Sequence, residues 1–399
     1  MSGSVPRWLL DRLQSAGGSV PFRTYMEWAL HDPHHGYYGS GRARIGTQGD
    51  FATSPSLGGE FAALLLRQLI EWLEQIPAER LSLVEAGPGE GHLIQQLVQG
   101  LTKERPDLAA RLEIVLVEPN PGMVAIQRRV LEESTLPVRW TSWADLGLAP
   151  VKGVVVAHEV LDALPVDRVL WDGQQWRWQH VALEHQQLAL VAGPALDPKE
   201  WARISRHRPA ERDLAPGWCT EVHSGLRPWL EACAHGLQEG ILLVVDYALE
   251  AWRYNAPLRS NGTLMAYRQQ LASGDVLQQP GEWDLTAHLC VDAVLEAAES
   301  TGWTVLGQRR QGEALLALGL AQRLAALGES PPGDLSEVLR RREQLLRLVD
   351  PMATGDFRWL VLGRSSGAFS SASLRSLCLS DPPPPEPPTP TTPQWLGAP

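Results

Sequence analysis

The residues with the clearest chemical potential form a glycine-rich loop, Glu85-Ala-Gly87-Pro-Gly89-Glu-Gly91, between an apolar run and an amphipathic stretch. Glycine permits backbone angles that are closed to other residues, so a ligand can approach the main chain here. A helix that begins directly after the loop would add positive potential from its N-terminal amides. The segment predicts a nucleotide-type binding loop. The alternative is a glycine-rich turn without a ligand, which any strand-to-helix connection can use.

The spacing of the loop distinguishes between nucleotides. The dinucleotide fingerprint is G-x-G-x-x-G, and its third glycine would fall on His92. Glu85 would repel a pyrophosphate but can accept hydrogen bonds from an ammonium group, and Glu118 is placed to accept from two ribose hydroxyls. We therefore predict S-adenosyl-L-methionine as the cofactor, with S-adenosyl-L-homocysteine as the product. The residues predicted here to bind it are Glu85, Gly87, Pro88, Gly89, Gly91, Glu118 and Pro119.

The elements that must position these residues follow from apolar runs that alternate with amphipathic stretches, a pattern typical of a mostly parallel sheet flanked by helices. Strands are predicted at residues 81–86, 112–118, 153–158 and 240–246, and helices at 92–104, 122–133 and 225–237. Open α/β sheets bind ligands at the carboxyl ends of their strands, which is where the loop and Glu118 lie.

Two long insertions leave from the carboxyl ends of strands. Between residues 158 and 240 the chain is far longer than the dozen or so residues that a crossover needs, and it contains a predicted hairpin with its turn at Asp172-Gly173. Residues 247–300 form the second insertion. We expect both to build a lid or substrate domain. Most hairpin tryptophans are expected to pack on a core rather than form a docking patch; they are Trp171, Trp176 and Trp178.

The composition excludes several classes of protein. The 399 residues carry a net charge of −11, which argues against nucleic acid or anionic membrane as a partner. No apolar run approaches the roughly 18 residues that cross a bilayer. Four scattered cysteines and the absence of a signal-like apolar region predict a cytoplasmic protein. The cluster His31-Asp-Pro-His34-His35 has no carboxylate or Cys at ligand spacing, so no metal site is predicted.

Further segments resemble one known family. They are Gly36-Tyr-Tyr, Gly49-Asp-Phe-Ala-Thr-Ser-Pro55, Val117-Glu-Pro-Asn-Pro121, Glu159-Val-Leu-Asp-Ala-Leu-Pro-Val166, Asp246-Tyr247, Gly262-Thr-Leu264 with Tyr267-Arg268, and Asp284-Leu-Thr-Ala-His288. With the glycine loop, they make residues 22–363 similar to the MidA-like methyltransferases, a class I family that uses S-adenosyl-L-methionine. The resemblance implies a Rossmann-like α/β fold. Because the family includes a mitochondrial complex I assembly factor, it also implies methylation of a protein arginine and, as partner, a subunit of a complex I-like NADH dehydrogenase.

The resemblance also implies roles for the segment before the first core helix. Asp50, Thr53 and Ser54 would fold over the cofactor from the N-terminal side. The alternative is that Asp50 and Thr53 only cap a helix that begins near Leu57.

An arginine acceptor would need carboxylates, because a guanidinium with a pKa above about 12 stays charged. Glu159 and Asp162 are predicted to hold the guanidinium and to take a proton from it, and His158 is a further catalytic candidate. Asp246, at the end of a predicted strand, is predicted to support the cofactor site from behind the residues that contact the cofactor. Alternatives remain open: Asp162 caps a turn, and His158 is a buried structural histidine. His288 is expected to be structural.

Five positions depart from the family pattern: Ser56, His158, Ala248, Met265 and Cys290. These substitutions leave the cofactor loop intact, so they affect the identity of the methyl acceptor more than that of the cofactor. Two alternative functions therefore stay open: methylation of a small molecule or of another residue, and a cofactor-binding assembly chaperone with little turnover. The oligomeric state is not predicted.

The predicted division of the chain has five parts. Residues 1–80 form a helical segment that covers the cofactor, 81–166 the cofactor-binding core, and 167–235 the inserted hairpin and substrate region. Residues 236–363 complete the core and carry the lid insertion at 247–300. A Pro-rich disordered tail is predicted at 364–399.

Overall fold

The computed structural model of the chain describes residues 5–46, 49–204, 210–329, 335–365 and 370–381. Its α-helices are α1 (Arg7–Ser15), α2 (Phe22–His31), α3 (Gly59–Gln75), α4 (His92–Glu104), α5 (Pro106–Ala109), α6 (Pro121–Val130), α7 (Trp143–Leu148), α8 (Pro198–Ile204), α9 (Leu226–Gly236), α10 (Ala251–Tyr254), α11 (Val291–Ser300), α12 (Gln311–Ala317), α13 (Leu320–Glu329) and α14 (Leu335–Val349).

Its strands are β1 (Ser19–Pro21), β2 (Leu81–Ala86), β3 (Leu112–Val117), β4 (Val138–Thr141), β5 (Val151–His158), β6 (Asp167–Trp171), β7 (Trp176–Glu184), β8 (Gln187–Ala195), β9 (Cys219–Val222), β10 (Leu237–Asp246), β11 (Ala248–Leu249), β12 (Met265–Arg268), β13 (Leu271–Ser273), β14 (Asp284–Thr286), β15 (Leu289–Cys290), β16 (Thr304–Arg310) and β17 (Arg358–Arg364).

The central sheet has seven strands in the order β16-β17-β10-β5-β2-β3-β4. The five strands from β10 to β4 are parallel. β17 pairs antiparallel with β10, and β16 pairs antiparallel with β17. Every residue of β2 is buried, as expected for a strand covered by helices on both faces. The predicted α/β class with a mostly parallel sheet is confirmed.

Helices cover the two faces of this sheet because its side chains alternate. Leu83 packs in an apolar layer with α3 and α4, whereas Val84 packs in the opposite layer with α7, α9 and α11. Helix α4 has the predicted bounds, and its apolar side buries Leu93, Ile94, Leu97, Val98 and Leu101. The two helical layers therefore bury both faces of the sheet.

The strand order changes direction between β2 and β5. From β2 the chain continues to β3 and β4 on one side, then crosses to β5 and β10 on the other. In open α/β sheets a crevice forms at this point, outside the carboxyl ends of the strands. The loop after β2 and the turn after β5 border that crevice.

The first insertion contains the predicted hairpin. Strands β6 and β7 pair antiparallel and, with β1, β8 and β9, form a five-stranded sheet. Trp176 is buried and stacks on Trp201 with ring centroids 4.1 Å apart, while Trp171 and Trp178 pack against the same cluster. The expected core packing of these tryptophans is confirmed.

Helix α9 belongs to a different part of the structure from the one predicted for it. The prediction grouped nearly all of α9 with the inserted region 167–235, but α9 packs in the core layer with α7 and α11 and leads directly into β10. Its amphipathic pattern could not show which layer it packs against.

The second insertion forms two small sheets. Strands β12, β13 and β14 make a three-stranded antiparallel sheet, and β11 pairs with β15. A main-chain hydrogen bond ties this insertion to the core: the Ala287 amide donates to the Asp162 carbonyl at 3.0 Å. Within the insertion, the Leu289 amide donates to the Tyr247 carbonyl at 2.8 Å.

The predicted tail at 364–399 begins too early. Residues 370–381 pack on the core, where the amides of Leu377 and Cys378 donate to Glu71 and Gln68 of α3. The side chain of Cys378 is fully buried. Apolar residues before the proline run supply this packing. Residues 382–399, which contain the proline run, lie outside the described residues.

No helix within the described ranges is long and apolar enough to cross a membrane.

Candidate active site

A cavity of about 570 Å³ opens at the carboxyl ends of β2, β3 and β5. It is bordered by the residues that follow these strands and by the segment before α3. The predicted site residues that line it are Thr53, Glu85, Gly87, Pro88, Gly89, Glu118, Pro119, His158 and Glu159.

The loop after β2 requires glycine for two reasons. Gly87 and Gly89 have φ angles of 56° and 53°, in the left-handed region. A Cβ atom would lie 2.9 Å from Val160 Cγ2 at Gly87 and 2.7 Å from Ile45 Cδ1 at Gly89. Gly91 lies behind the cavity as the N-cap of α4, with φ 90°, so it supports the helix rather than lining the site.

Glu85 is a buried acid at the cavity wall. One of its oxygens faces the Ile94 amide of α4, and Oε2 has no hydrogen-bond partner among the described residues. Burial raises the pKa of Glu85 to about 8. An unpartnered buried carboxyl oxygen is costly unless a ligand satisfies it, so this position fits an ammonium group.

Glu118 is held at the opposite rim. It accepts hydrogen bonds from the Asn120 amide at 2.9 Å and from Gln127 Nε2 at 3.0 Å. Gln127 Nε2 also donates to the Gly89 carbonyl at 2.8 Å, so the same side chain joins Glu118 to the glycine loop. Burial raises the pKa of Glu118 above its ordinary value. The fixed carboxyl group can accept from paired hydroxyls.

Glu159 follows β5 in a strained conformation. Its φ of 52° lies in the left-handed region, and its amide donates to the Val245 carbonyl at 2.8 Å. Such strain persists where the surrounding structure enforces it, and it is frequent at functional sites. Burial, and then the nearby Asp162, raise the pKa of Glu159 well above its ordinary value.

Asp246 braces the turn that contains Glu159. Its Oδ2 accepts from the amides of Leu161 and Asp162 at 3.0 and 3.3 Å, and Oδ1 accepts from the Tyr247 amide at 2.8 Å. It does not line the cavity. The predicted cofactor contact of Asp246 is therefore replaced by a structural one, because its oxygens are occupied by backbone donors.

Asp162 lies beside Glu159 but outside the cavity lining. Its Oδ1 is buried without a hydrogen-bond partner among the described residues, and burial raises its pKa to about 7. Asp284 of β14 lies near both acids, has an unpartnered Oδ1, and has its pKa raised to about 8 by burial and then by Asp162. Within the described residues, no Lys or Arg forms an ion pair with these three acids.

His158 lines the cavity, but its chemistry differs from the prediction. Its ring packs edge-on against Phe61, with centroids 5.0 Å apart, and Nδ1 lies 3.4 Å from Glu159 Oε1. Burial lowers the pKa of His158 to about 3. The imidazole therefore stays neutral near pH 7, which does not fit proton removal in that range.

The segment before α3 is held mainly by its own hydrogen bonds. Thr53 lines the cavity and is the N-cap of a 3₁₀ helix, Ser54–Leu57, with its amide donating to Ser56 Oγ at 2.8 Å. Ser54 is fully buried and accepts from Gln311 Nε2 at 3.0 Å. It does not line the cavity, which differs from the predicted cofactor contact.

Asp50 is also absent from the cavity lining. Its carboxylate accepts from the Tyr37 hydroxyl at 2.8 Å and from the Gln269 amide at 3.0 Å. The predicted cofactor contact is thus replaced by a link between the N-terminal segment and the turn after β12. The capping alternative does not hold as stated, since Thr53 caps the 3₁₀ helix Ser54–Leu57 and also lines the cavity, Asp50 caps neither helix, and Gly58 is the N-cap of α3.

Several lining residues were missed: Glu27, His31, Tyr38, Trp143 and Trp229. They come from separate segments, so no local pattern marks them. Of these, His31 could have been noticed in the sequence, because it belongs to the histidine cluster. His31 Nδ1 lies 3.4 Å from Asn120 Oδ1, and the His31 ring stacks on Tyr38. A search of the described part of the chain finds no group of three metal ligands.

His288 is engaged through its main chain. Its amide donates to Thr263 Oγ1 at 3.0 Å, its carbonyl lies 2.9 Å from His223 Nε2, and burial lowers its pKa to about 4.

The crevice contains Glu85, which can accept from an ammonium group, and Glu118, which is held in place to accept from hydroxyls. Its glycine loop leaves no room for side chains. These features fit a nucleoside that carries a sulfonium group better than a dinucleotide. The fold and the site thus define an α/β methyltransferase that uses S-adenosyl-L-methionine. A family model for S-adenosyl-L-methionine-dependent methyltransferases matches residues 64–309, and the chain belongs to this family, Methyltransf_28.

Curated relatives and solved structures agree with this assignment. The chain is 28% identical to "Protein arginine methyltransferase NDUFAF7 homolog, mitochondrial" of Drosophila melanogaster, over 90% of this chain and 85% of the relative. It is also 28% identical to the Homo sapiens protein arginine methyltransferase NDUFAF7, over 88% and 81%. A crystal structure from Burkholderia thailandensis, bound to S-adenosyl-homocysteine, superposes with a TM-score of 0.79 and 29% identity, covering 92% of this chain and 94% of that one.

Proposed function

We propose that this protein transfers a methyl group from S-adenosyl-L-methionine to an arginine side chain of a protein. The observation that carries the proposal is the pair Glu159 and Asp162, whose buried carboxyl groups have no cation among the described residues; Glu159 lines the cofactor cavity and Asp162 lies beside it. A guanidinium would supply the missing charge and hydrogen-bond donors. The names of the curated relatives support the same substrate class.

The cofactor would be held by residues on the β2–β3 side of the cavity. Glu85 would accept from its ammonium group and Glu118 from its ribose hydroxyls, while Gly87 and Gly89 let it approach the main chain. Thr53 would close the site from the N-terminal side. Bound in this way, S-adenosyl-L-methionine supplies an electrophilic methyl group, which the acceptor nitrogen takes as the carbon–sulfur bond breaks and one N–H proton is released.

The acceptor carboxylates have three tasks in such a transfer. They orient the guanidinium, they balance the second positive charge beside the sulfonium, and one of them takes the released proton. Glu159 is the proposed proton acceptor because it is the acid of the pair that lines the cavity. The raised pKa of Glu159 favours its neutral form, and a neighbouring cation would drive its ionisation.

The two insertions would form the substrate side of the site. The three-stranded sheet lies beside the acceptor acids, and the hairpin sheet holds the N-terminal segment through the pairing of β1 with β7. This placement supports a lid or substrate domain. The partner we propose, from the family resemblance, is a subunit of a complex I-like NADH dehydrogenase.

Labelling tests the substrate class. The protein is incubated with cell extract and tritiated S-adenosyl-L-methionine, and the labelled protein is hydrolysed to amino acids. We expect the label in methylated arginine. Glu159→Gln should lose transfer by about a hundredfold or more while its cofactor affinity is retained. Glu184→Gln, an exposed acid on β7, is the matched control and should act like wild type. Label confined to small metabolites or to other residues, or cofactor binding without transfer, would contradict the proposal.

A further inference from the structure

A third acid reaches the acceptor site from the second insertion. Asp284 is only 2% exposed, and its Oδ1 is buried without a hydrogen-bond partner among the described residues. Asp162 lies near enough to act on its charge, and the Tyr38 hydroxyl hydrogen-bonds to the same side chain. The Leu285 amide also donates to Asp284, so its carboxyl group has donors on one side while Oδ1 is left without one. This acid is brought there by β14, which pairs with β12 so that Asp284 lies opposite Tyr267.

Three tyrosines enclose the same acids. Tyr38, Tyr247 and Tyr267 each have their pKa raised, first by burial and then by nearby carboxyl groups that include Asp162. Tyr247 is fixed by its packing on Phe357, with ring centroids 4.0 Å apart. Tyr267 is half-buried, so it lies at the accessible edge of the group.

The combination points to one kind of ligand. A cation would stabilise the ionised form of these unpartnered acids, and aromatic side chains favour a cation that is flat and weakly hydrated. A guanidinium has both properties and can donate to several carboxyl oxygens at once, whereas a lysine ammonium is a compact and strongly hydrated charge. A purely structural acid cluster would be expected to contain its own cation or a full set of donors.

We propose that Asp284 and Tyr267, together with Glu159 and Asp162, form a cage that binds the acceptor guanidinium and selects arginine over lysine. This inference rests on the proposed function and adds the inserted sheet to the acceptor site. Asp284 ligates the guanidinium through Oδ1, while Tyr38 orients the other oxygen. Tyr267 covers the guanidinium plane from the accessible side.

The attachments of the inserted sheet suit this role. The Ala287 amide, just beyond β14, donates to the Asp162 carbonyl at 3.0 Å, so two acids of the cage are joined through the main chain. On the other side of the sheet, Asp50 accepts from the Gln269 amide at 3.0 Å and its carbonyl accepts from the Gln270 amide at 2.8 Å. The cage acids are therefore held in place before a substrate arrives.

Binding of a blocked amino acid tests the cage. Protein saturated with S-adenosyl-L-homocysteine is titrated in a calorimeter with Nα-acetyl-arginine amide, and in parallel with the corresponding citrulline and lysine compounds. We expect wild type to bind the arginine compound best. Asp284→Asn should weaken that binding by about tenfold or more, because a hydrogen bond to a charged group is lost. Tyr267→Leu should reduce the preference for arginine over lysine.

Two readouts keep the test independent of folding and of the proposed function. Affinity for S-adenosyl-L-homocysteine should be unchanged in both variants, and Asp275→Asn, an exposed acid of the same insertion, should bind like wild type. If wild type methylates arginine but Asp284→Asn and Tyr267→Leu bind the arginine compound normally, the cage is wrong and the function stands. If wild type binds the citrulline or lysine compound as well as the arginine compound, both the cage and the arginine assignment are overturned.

Discussion

The two sides of the active site are built in different ways. The cofactor side comes mainly from one strand, one loop and one helix start, residues 81–104, with Glu118 added from the neighbouring strand. The proposed acceptor side would combine Tyr38, Glu159 and Asp284, which come from three distant parts of the chain. The cofactor side is thus set by local backbone geometry, whereas the acceptor side depends on how the insertions dock.

The two sides also differ in how their acids are satisfied. Glu118 accepts from a backbone amide and from two side-chain amides, those of Asn120 and Gln127, before any ligand binds. The buried acids Glu159, Asp162 and Asp284 each keep an oxygen without a partner among the described residues. The cofactor rim is therefore satisfied by protein donors at Glu118 but not at Glu85, whose Oε2 also has no partner among the described residues, whereas each of the three acids on the proposed acceptor side has an unpartnered oxygen.

The largest expected effect tests the local geometry of the cofactor side. Gly89→Val would place a side chain against Ile45 and force a β-branched residue to φ 53°. We expect S-adenosyl-L-methionine affinity to fall by about a hundredfold or more, with the fold retained, as measured by calorimetry and circular dichroism. Gly274→Ala, at an open position, is the control. Unchanged binding in Gly89→Val would remove the loop from the cofactor site.

The next effect tests the incomplete acceptor side through stability. The pKa of Asp284 is raised to about 8 in the folded protein, so the folded state holds a proton that the unfolded state loses near pH 4. Its contribution is fully present below pH 4 and is lost as pH rises to about 8. Asp284→Asn should therefore gain stability relative to wild type across that window, on the order of a few kcal/mol by pH 8.

Denaturant unfolding at several pH values measures this difference. The exposed Asp275→Asn should show no such trend. A stability difference for Asp284→Asn that is the same at pH 5 and pH 8 would mean that Asp284 is charged throughout, and the contrast between the two rims would fail.

A smaller effect is expected in the pH dependence of turnover. At saturating S-adenosyl-L-methionine, which removes the contribution of Glu85, kcat/KM for the protein acceptor should rise with pH and level off above about 8, because Asp162 and Asp284 must ionise to bind a cation. We expect a rise of about tenfold from pH 6 to 8. A flat profile would indicate acids that are already ionised in the free protein.

The smallest effect isolates the strain after β5. Glu159→Gly and Glu159→Ala both remove the carboxyl group, but only glycine adopts φ 52° without strain. Glu159→Gly should be the more stable of the two by about 1 kcal/mol in urea unfolding, and both should be inactive. Equal stability would mean that the backbone of Glu159 relaxes when its side chain is removed.

The same contrast explains what could be predicted from the sequence. Gly87, Glu85 and Glu118 were predicted because a strand, a loop and a helix start follow one another in consecutive residues, and the structure places all three at the cavity. Glu159 was predicted because it directly follows a strand, and it also lines the cavity. The proposed role of Asp284 was not predicted, since its position depends on β14 docking against the turn after β5, which no periodicity encodes.

The errors have similar causes. Asp246 and Asp50 lie at ligand-facing edges in sequence, but protein donors occupy their oxygens: backbone amides at Asp246, and the Tyr37 hydroxyl with the Gln269 amide at Asp50. The sequence does not show which donors will be nearby. The segment at 370–381 was assigned to the tail because of the prolines beyond it, although its apolar residues pack on α3 and α12.

The position of β17 has a consequence for biosynthesis. This strand, formed by nearly the last residues of the folded region, inserts between β10 and β16 in the central sheet. Until it has left the ribosome, β10 presents an unpaired edge of five apolar residues, Ile241 to Val245. Exposed edges of this kind promote association between chains. Nascent protein should therefore depend on chaperones until β17 has left the ribosome, and ribosome stalling before that point should favour aggregation.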